Sequence, residues 1–137
     1  MNIANHISLS ELQQRIKSAV EESLALPVWV VGEIAEMKVN YSGHCYMELV
    51  EKSQSGGAEG AKSRGGASSG LAVAQARAVI WRTHYAMLGA YFEAETGSKL
   101  AAGMKILAKV IVTYHQLYGL SLQITDINPS YTLGEVE

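Results

Sequence analysis

The chain has 137 residues, 48% of them hydrophobic and 18% charged, which suits one domain with a single buried core. A formal net charge of −2 excludes a protein that is basic as a whole, so any nucleic-acid site has to be a local patch. One cysteine, Cys45, excludes an intramolecular disulfide and a zinc site built from a cysteine set, and it fits a reducing compartment.

The opening residues lack a basic segment followed by an apolar run, and no apolar stretch reaches membrane-spanning length. The expectation is a cytoplasmic protein with no membrane partner. Ser8-Leu9-Ser10-Glu11 is a capping-box pattern, and Leu9, Leu12, Ile16, Val20 and Leu24 recur at helical spacing. They predict a helix that ends near Leu24, before Pro27, within an N-terminal extension over residues 1–27. Its apolar stripe must cover either the domain's own core, the preferred reading, or a partner.

From Val28 the period changes. Val28 to Ile34 reads as a strand, with Gly32 placed for a bulge or bend. Asn40-Tyr41-Ser42-Gly43 predicts a turn, and His44 to Val50 a returning strand. That strand points Cys45, Met47 and Leu49 one way and His44, Tyr46 and Glu48 the other. Residues 53–70 are rich in Gly and Ser and predict a flexible surface loop without phosphate-loop spacing.

Leu71 to Thr83 predicts a third strand with Ala76, Ala78 and Ile80 on one face. Gln75, Arg77, Val79 and Trp81 lie on the other, with Arg82 just beyond. Tyr85 to Glu95 reads as a short helix with Gly97 near its C-cap. Met104 to His115 is a long strand, with Lys105 and Lys109 opposite Ile106, Ala108, Val110 and Val112. Leu117-Tyr118-Gly119 turns the chain, and Leu120, Leu122 and Ile124 alternate along a final strand that Pro129 ends. The fold class is mainly β with flanking helices. Five strands, with a helix between the third and fourth, predict an OB-fold barrel as a single domain over residues 1–137.

No HExxH, no paired carboxylates and no nucleophile motif occur, so no catalytic residue, metal or cofactor is assigned. Cys45 lies on the expected core face and is read as inert. A cation beside an aromatic ring on the outer face of the third strand suits a surface that holds phosphates and stacks bases. Arg77 and Trp81 are the first candidates. Trp81 is either a stacking platform or a seal for the barrel end or the following helix. Arg82 falls on the face opposite Arg77 if the strand is regular, so the two act together only if the chain bends near Trp81. His44 and Tyr46 either extend the same platform or form a solvated cross-strand pair. Lys38 and Tyr41 flank the first hairpin, and Tyr114 and Tyr118, with His115, cluster at the last; both loops often grip nucleic acid in this fold.

These residues also resemble a known family. Leu9-Ser10-Glu11-Leu12, Trp29-Val30-Val31-Gly32-Glu33-Ile34 and Ser42-Gly43-His44-Cys45-Tyr46-Met47-Glu48-Leu49 resemble the start of the exonuclease VII large subunit. Ala76-Arg77-Ala78-Val79-Ile80-Trp81-Arg82 and the close from Leu122-Gln123-Ile124 to Pro129 fit the same family, over almost the whole chain. The resemblance implies an N-terminal OB-fold domain that binds single-stranded DNA. The nuclease centre, and the regions that engage the small subunit, would then lie outside this chain. The parent would be an exodeoxyribonuclease, a hydrolase, and this chain a non-catalytic part of it. Two departures stand out. The 53–70 loop is longer than the usual connection. The last hairpin, His115-Gln116-Leu117-Tyr118-Gly119, lacks the proline and arginine common before the glycine, which removes a phosphate contact and leaves Tyr118 to stack instead. Two other functions stay open: a protein-interaction module that docks a subunit or a second copy, and an RNA-binding OB domain of the anticodon-binding type.

Overall fold

The protein is described by a computed structural model over residues 5–53 and 71–136. Helix α1 spans Leu9–Ser23, and strands β1, β2 and β3 span Val28–Val39, Cys45–Lys52 and Ala72–Ile80. Helix α2 spans Arg82–Thr96, followed by β4 (Lys105–His115), β5 (Gly119–Ile127) and helix α3 (Pro129–Val136). The strands close into a barrel in the order β1-β2-β3-β5-β4. Every pairing is antiparallel except a short parallel one between β3 and β5. This is the expected OB-fold barrel.

The alternation read from the sequence sets the core. Ile34, Cys45, Met47, Leu49, Ala78, Ile80, Ile106, Ala108, Val110 and Ile124 face inward and are buried. Leu88 and Phe92 of α2 join them, and Phe92 is fully buried. A closed barrel leaves no sheet edge unpaired, so its outer face is free to carry function.

Four local expectations change. The first-strand irregularity lies between Ile34 and Glu36, not at Gly32. Gly32 serves a close approach instead: a Cβ there would stand 3.4 Å from Cβ of Leu49. The third strand stops at Ile80 and α2 starts at Arg82, three residues before the predicted start. Trp81 is the N-cap without a side-chain acceptor, and its carbonyl accepts from the amides of His84 and Tyr85 at 2.9 and 2.8 Å. With no Ser, Thr, Asp or Asn at that position, the start carried no sequence signal. The last strand does end just before Pro129, at Ile127, but Pro129 also opens a further helix, α3, and the Asn128 side chain accepts from the Tyr131 amide at 3.3 Å. Of the predicted 53–70 loop, residues 54–70 lie outside the described residues, and Ser53 donates its amide to the Leu71 carbonyl at 2.8 Å.

Helix α1 starts as predicted, with the Glu11 amide donating to Ser8 Oγ at 3.1 Å, while the Glu11 carboxylate pairs with Arg15 at 3.0 Å. Its apolar stripe is only partly covered, which corrects the expectation that it would cover the core. No residue of α1 is buried, and Leu9 and Leu12 remain 71% and 45% exposed. Polar contacts to β4 and the β4–β5 turn hold the helix. Glu21 accepts the Tyr114 amide at 3.2 Å, Lys17 donates to the Tyr114 carbonyl at 3.4 Å, and the Tyr114 hydroxyl donates to Gln13. The Gln116 amide reaches Gln14 at 3.0 Å.

The Lys17 ammonium, bonded to Glu21 at 2.9 Å, and then the Tyr114 amide hold the Glu21 carboxyl below its ordinary range. A lowered folded-state pKa adds stability above the ordinary carboxylate range, and that stability is lost as pH falls through the lowered value. Acidification is therefore expected to loosen α1 before the barrel melts, read by the amide shifts of Tyr114 and Gln13. Glu21→Gln should loosen α1 already at neutral pH and abolish the acid step; an unchanged acid step in that variant excludes Glu21 as its cause. Burial also pushes the Cys45 thiol up to about 11. A thiol reagent near pH ~8 should label the unfolded chain and spare the folded one. Labelling of the native protein at the free-thiol rate would contradict the inward placement of Cys45.

Candidate nucleic-acid interface

The β1–β2 turn is shaped by Asn40, whose side-chain carbonyl accepts the amides of Ser42 and His44, both at 3.0 Å. Gly43 follows in the left-handed region (φ 94°), and a Cβ there would stand 3.1 Å from Cγ of Arg82. The turn thus lies directly against the start of α2. His44 closes the junction: its Nδ1 accepts the Arg82 backbone amide at 3.0 Å. That amide is one of those a helix start leaves without an intrahelical partner. The bond requires Nδ1 to be bare, which places the ring proton on Nε2.

With its ring held there, His44 meets Trp81 edge to face at 5.0 Å between centroids and 89° between planes. Tyr46 stands 6.4 Å from each of the other two rings, also edge-on. Tyr46 and Trp81 stay 43% and 38% exposed, so the cluster is packed by edge-to-face contacts and still reaches the surface. The β2–β3 register produces this convergence by setting Tyr46 opposite Val79, two residues before Trp81. Val79 is buried on the outer side of the barrel, beneath the rings.

Arg77 stands two residues earlier on the same face and donates through Nη2 to the Tyr118 carbonyl of the β4–β5 turn. The hairpin that lacks an arginine of its own therefore receives a guanidinium from β3. At that turn His115 and Tyr118 stack at 4.5 Å and 24°, with His115 Nδ1 accepting the amides of Leu117 and Tyr118 at 3.0 and 3.4 Å. Between the two aromatic groups runs a groove of about 470 Å³, with Tyr46, Arg77 and Trp81 on one side and Tyr114, His115 and Tyr118 on the other. Lys17 and Glu21 of α1 line it as well.

The remaining candidates are placed unequally. Arg82 is the first residue of α2, so the chain does bend after Trp81; its side chain lies against Gly43 of the β1–β2 turn, and it does not line the groove with Arg77. A helix N-terminus disfavours a cation, and among the described residues no carboxylate pairs with Arg82. Lys38 pairs with Tyr46 across β1–β2 and borders the same sheet face. Tyr41 is fully exposed at the turn tip. Tyr114 lines the groove wall, but its hydroxyl and backbone are committed to α1. Acidic residues share the row of Arg77: Glu48 lies opposite Arg77 across β2–β3, pairs with Glu36 of β1 in register, and accepts from Gln75. Sequence reasoning missed the walls that α1 contributes, since Lys17 and Glu21 read as an ordinary helical ion pair. It also passed over Gln123 of β5 at the groove floor.

A closed five-stranded barrel with a cationic, aromatic groove from the outer face of β2 and β3 to the β4–β5 turn defines the class: a nucleic-acid-binding OB-fold domain. The chain belongs to the family of OB-fold nucleic acid binding domains, which it matches over residues 7–128. It is similar to the exodeoxyribonuclease 7 large subunit of Deinococcus radiodurans, 32% identical over 130 residues and 94% of this chain. The chain spans 28% of that relative's length. Among solved structures, a mitochondrial single-stranded DNA binding protein of S. cerevisiae aligns at 17% identity and a TM-score of 0.31, over 75% of this chain and 90% of that one. Among the described residues, no helix is long and apolar enough to cross a membrane.

The turn geometry has a direct test. Gly43→Ala should cost about 1–2 kcal/mol through its left-handed backbone, with more from crowding Arg82. Both a lower Tm and a shift in Trp81 emission are expected, because the same contact positions His44. A change in Tm without any change in emission would separate the turn from the aromatic cluster.

Proposed function

We propose that this chain is the single-stranded DNA-binding domain of an exonuclease VII-type large subunit. It presents an unpaired strand to a nuclease centre lying in regions outside this chain, where contacts to a small subunit also belong. The observation that carries this reading is the groove beside the β4–β5 turn, with exposed aromatic rings at both ends and Arg77 between them. The similarity to an exodeoxyribonuclease large subunit supports DNA as the ligand.

In this reading Trp81, Tyr46 and His44 receive bases at one end and Tyr118 at the other. Arg77 and Arg82, with Lys38 at the margin, meet phosphates, and Tyr41 and Tyr114 border the path. Stacking and phosphate contacts carry no base code, so binding is tolerant of sequence. No cofactor takes part.

Fluorescence anisotropy with a labelled oligodeoxynucleotide tests this. Trp81→Ala should weaken binding about tenfold, the size of one lost base stack. With about three cations engaged, log K should fall with log salt at a slope near −2, and Arg77→Ala should flatten it by about 0.7. No detectable binding at low salt, or affinity indifferent to both substitutions, would sink the reading. Competition by RNA of equal length separates DNA from RNA preference.

Self-association is a second reading with its own observation: Trp29 and Val31 on the outer face of β1 are 48% and 43% exposed, as is Leu12 of α1 at 45%. Light scattering that shows a DNA-insensitive dimer would favour it.

A further inference from the structure

Among the polar side chains that line the groove, beside the small hydroxyls of Thr113 and Ser121, Gln123 carries an amide that neither stacking nor phosphate binding uses. Strand registers place Lys38, Tyr46, Val79, Gln123 and Ile111 in a single row across all five strands of the barrel. Gln123 is thus the one primary amide in that row, partly buried between two apolar neighbours, Val79 and Ile111. Among the described residues nothing hydrogen-bonds its side chain.

A primary amide held against apolar neighbours is partly stripped of water, and the loss is offset only when a partner meets both its donor and its acceptor. The rings of Tyr46 and Trp81 on one side, and of His115 and Tyr118 on the other, leave space between them for a flat ligand. A nucleobase is such a ligand. The Watson–Crick edge of each base offers an adjacent donor and acceptor, and a side-chain amide offers the complementary pair. Rotating the amide by half a turn exchanges its donor and acceptor, so one Gln suits adenine, cytosine, guanine or thymine.

We infer that Gln123 is a base-edge contact that seats one unpaired nucleobase on the groove floor over Val79. The contact requires a base but no particular base. It also requires an unpaired strand, because in a duplex the Watson–Crick edge is already occupied. The inference rests on the nucleic-acid reading of this groove and adds to it the basis for choosing single strands.

The test is a single-position abasic scan in labelled oligodeoxynucleotides of about 12 nucleotides, within the span of one OB barrel. Binding is read by anisotropy for the unsubstituted protein, Gln123→Leu and Gln123→Ala, with thermal melts to confirm folding. The unsubstituted protein should show one internal position where loss of the base costs most. Both variants should bind intact oligo-dA, oligo-dC and oligo-dT about fivefold more weakly, by the same factor for each, as expected for one net hydrogen-bonded contact. Both should also lose the extra sensitivity at that one position. Unchanged affinity in both folded variants overturns the inference, as does an equal loss on the abasic oligonucleotide, which would place the amide on sugar or phosphate. If the unsubstituted protein binds none of the oligonucleotides, the nucleic-acid reading itself fails, and the two failures are told apart by that first measurement.

Discussion

The pairing of β2 with β3 is the constraint on which the site depends. Setting Tyr46 opposite Val79 and Cys45 opposite Ile80 sends the alternate residues to opposite sides of the barrel wall. Cys45 and Ile80 enter the core while Tyr46 and the following Trp81 stay outside. A slip of one residue would exchange the two sets, burying the ring cluster and exposing the core. The barrel's packing and the site's geometry are therefore fixed by the same hydrogen-bond ladder. His44 adds the junction to α2, since its bond to the Arg82 amide ties the β1–β2 turn to the end of β3.

Charge is organised at the same scale. The chain is slightly acidic overall, yet the groove gathers Arg77 and Lys17, while Arg82 lies against the β1–β2 turn. The one carboxylate lining the groove, Glu21, is neutralised by Lys17 and by a backbone amide. Glu36 and Glu48, which would repel a phosphate backbone, share the row of Arg77, with Glu48 opposite Arg77 in register, but neither lines the groove. A field of a few local charges acts over about a Debye length, so bulk charge says little about such a site.

Helix α1 shows how a strong sequence pattern can mislead about its purpose. Its spacing of Leu9, Leu12, Ile16 and Val20 is that of a core-covering helix, and the helix forms where the capping residues place it. Yet a closed barrel with α2 packed into its core leaves little apolar surface for α1 to cover. Polar contacts centred on Tyr114 attach the helix instead, and two of its side chains become part of the groove wall. Tyr114 read as a loop aromatic is, in the fold, chiefly the anchor of that helix.

The sequence by itself determined the five strands, the two longer helices, the inward and outward faces of β2 and β3, and the burial of Cys45. Each of these follows from local periodicity, capping residues or turn chemistry, which act over a few neighbours along the chain. It also carried the resemblance to the exonuclease VII large subunit. It took the tertiary structure to bring the β3 and β4–β5 rings to one groove, Arg77 to the last hairpin, the Arg82 amide to His44, and Gln123 beside Val79. Those facts depend on the closure of β3 against β5, a parallel contact between strands more than forty positions apart in the sequence. Closure of that kind is a property of the whole barrel's geometry, and no short window of residues records it.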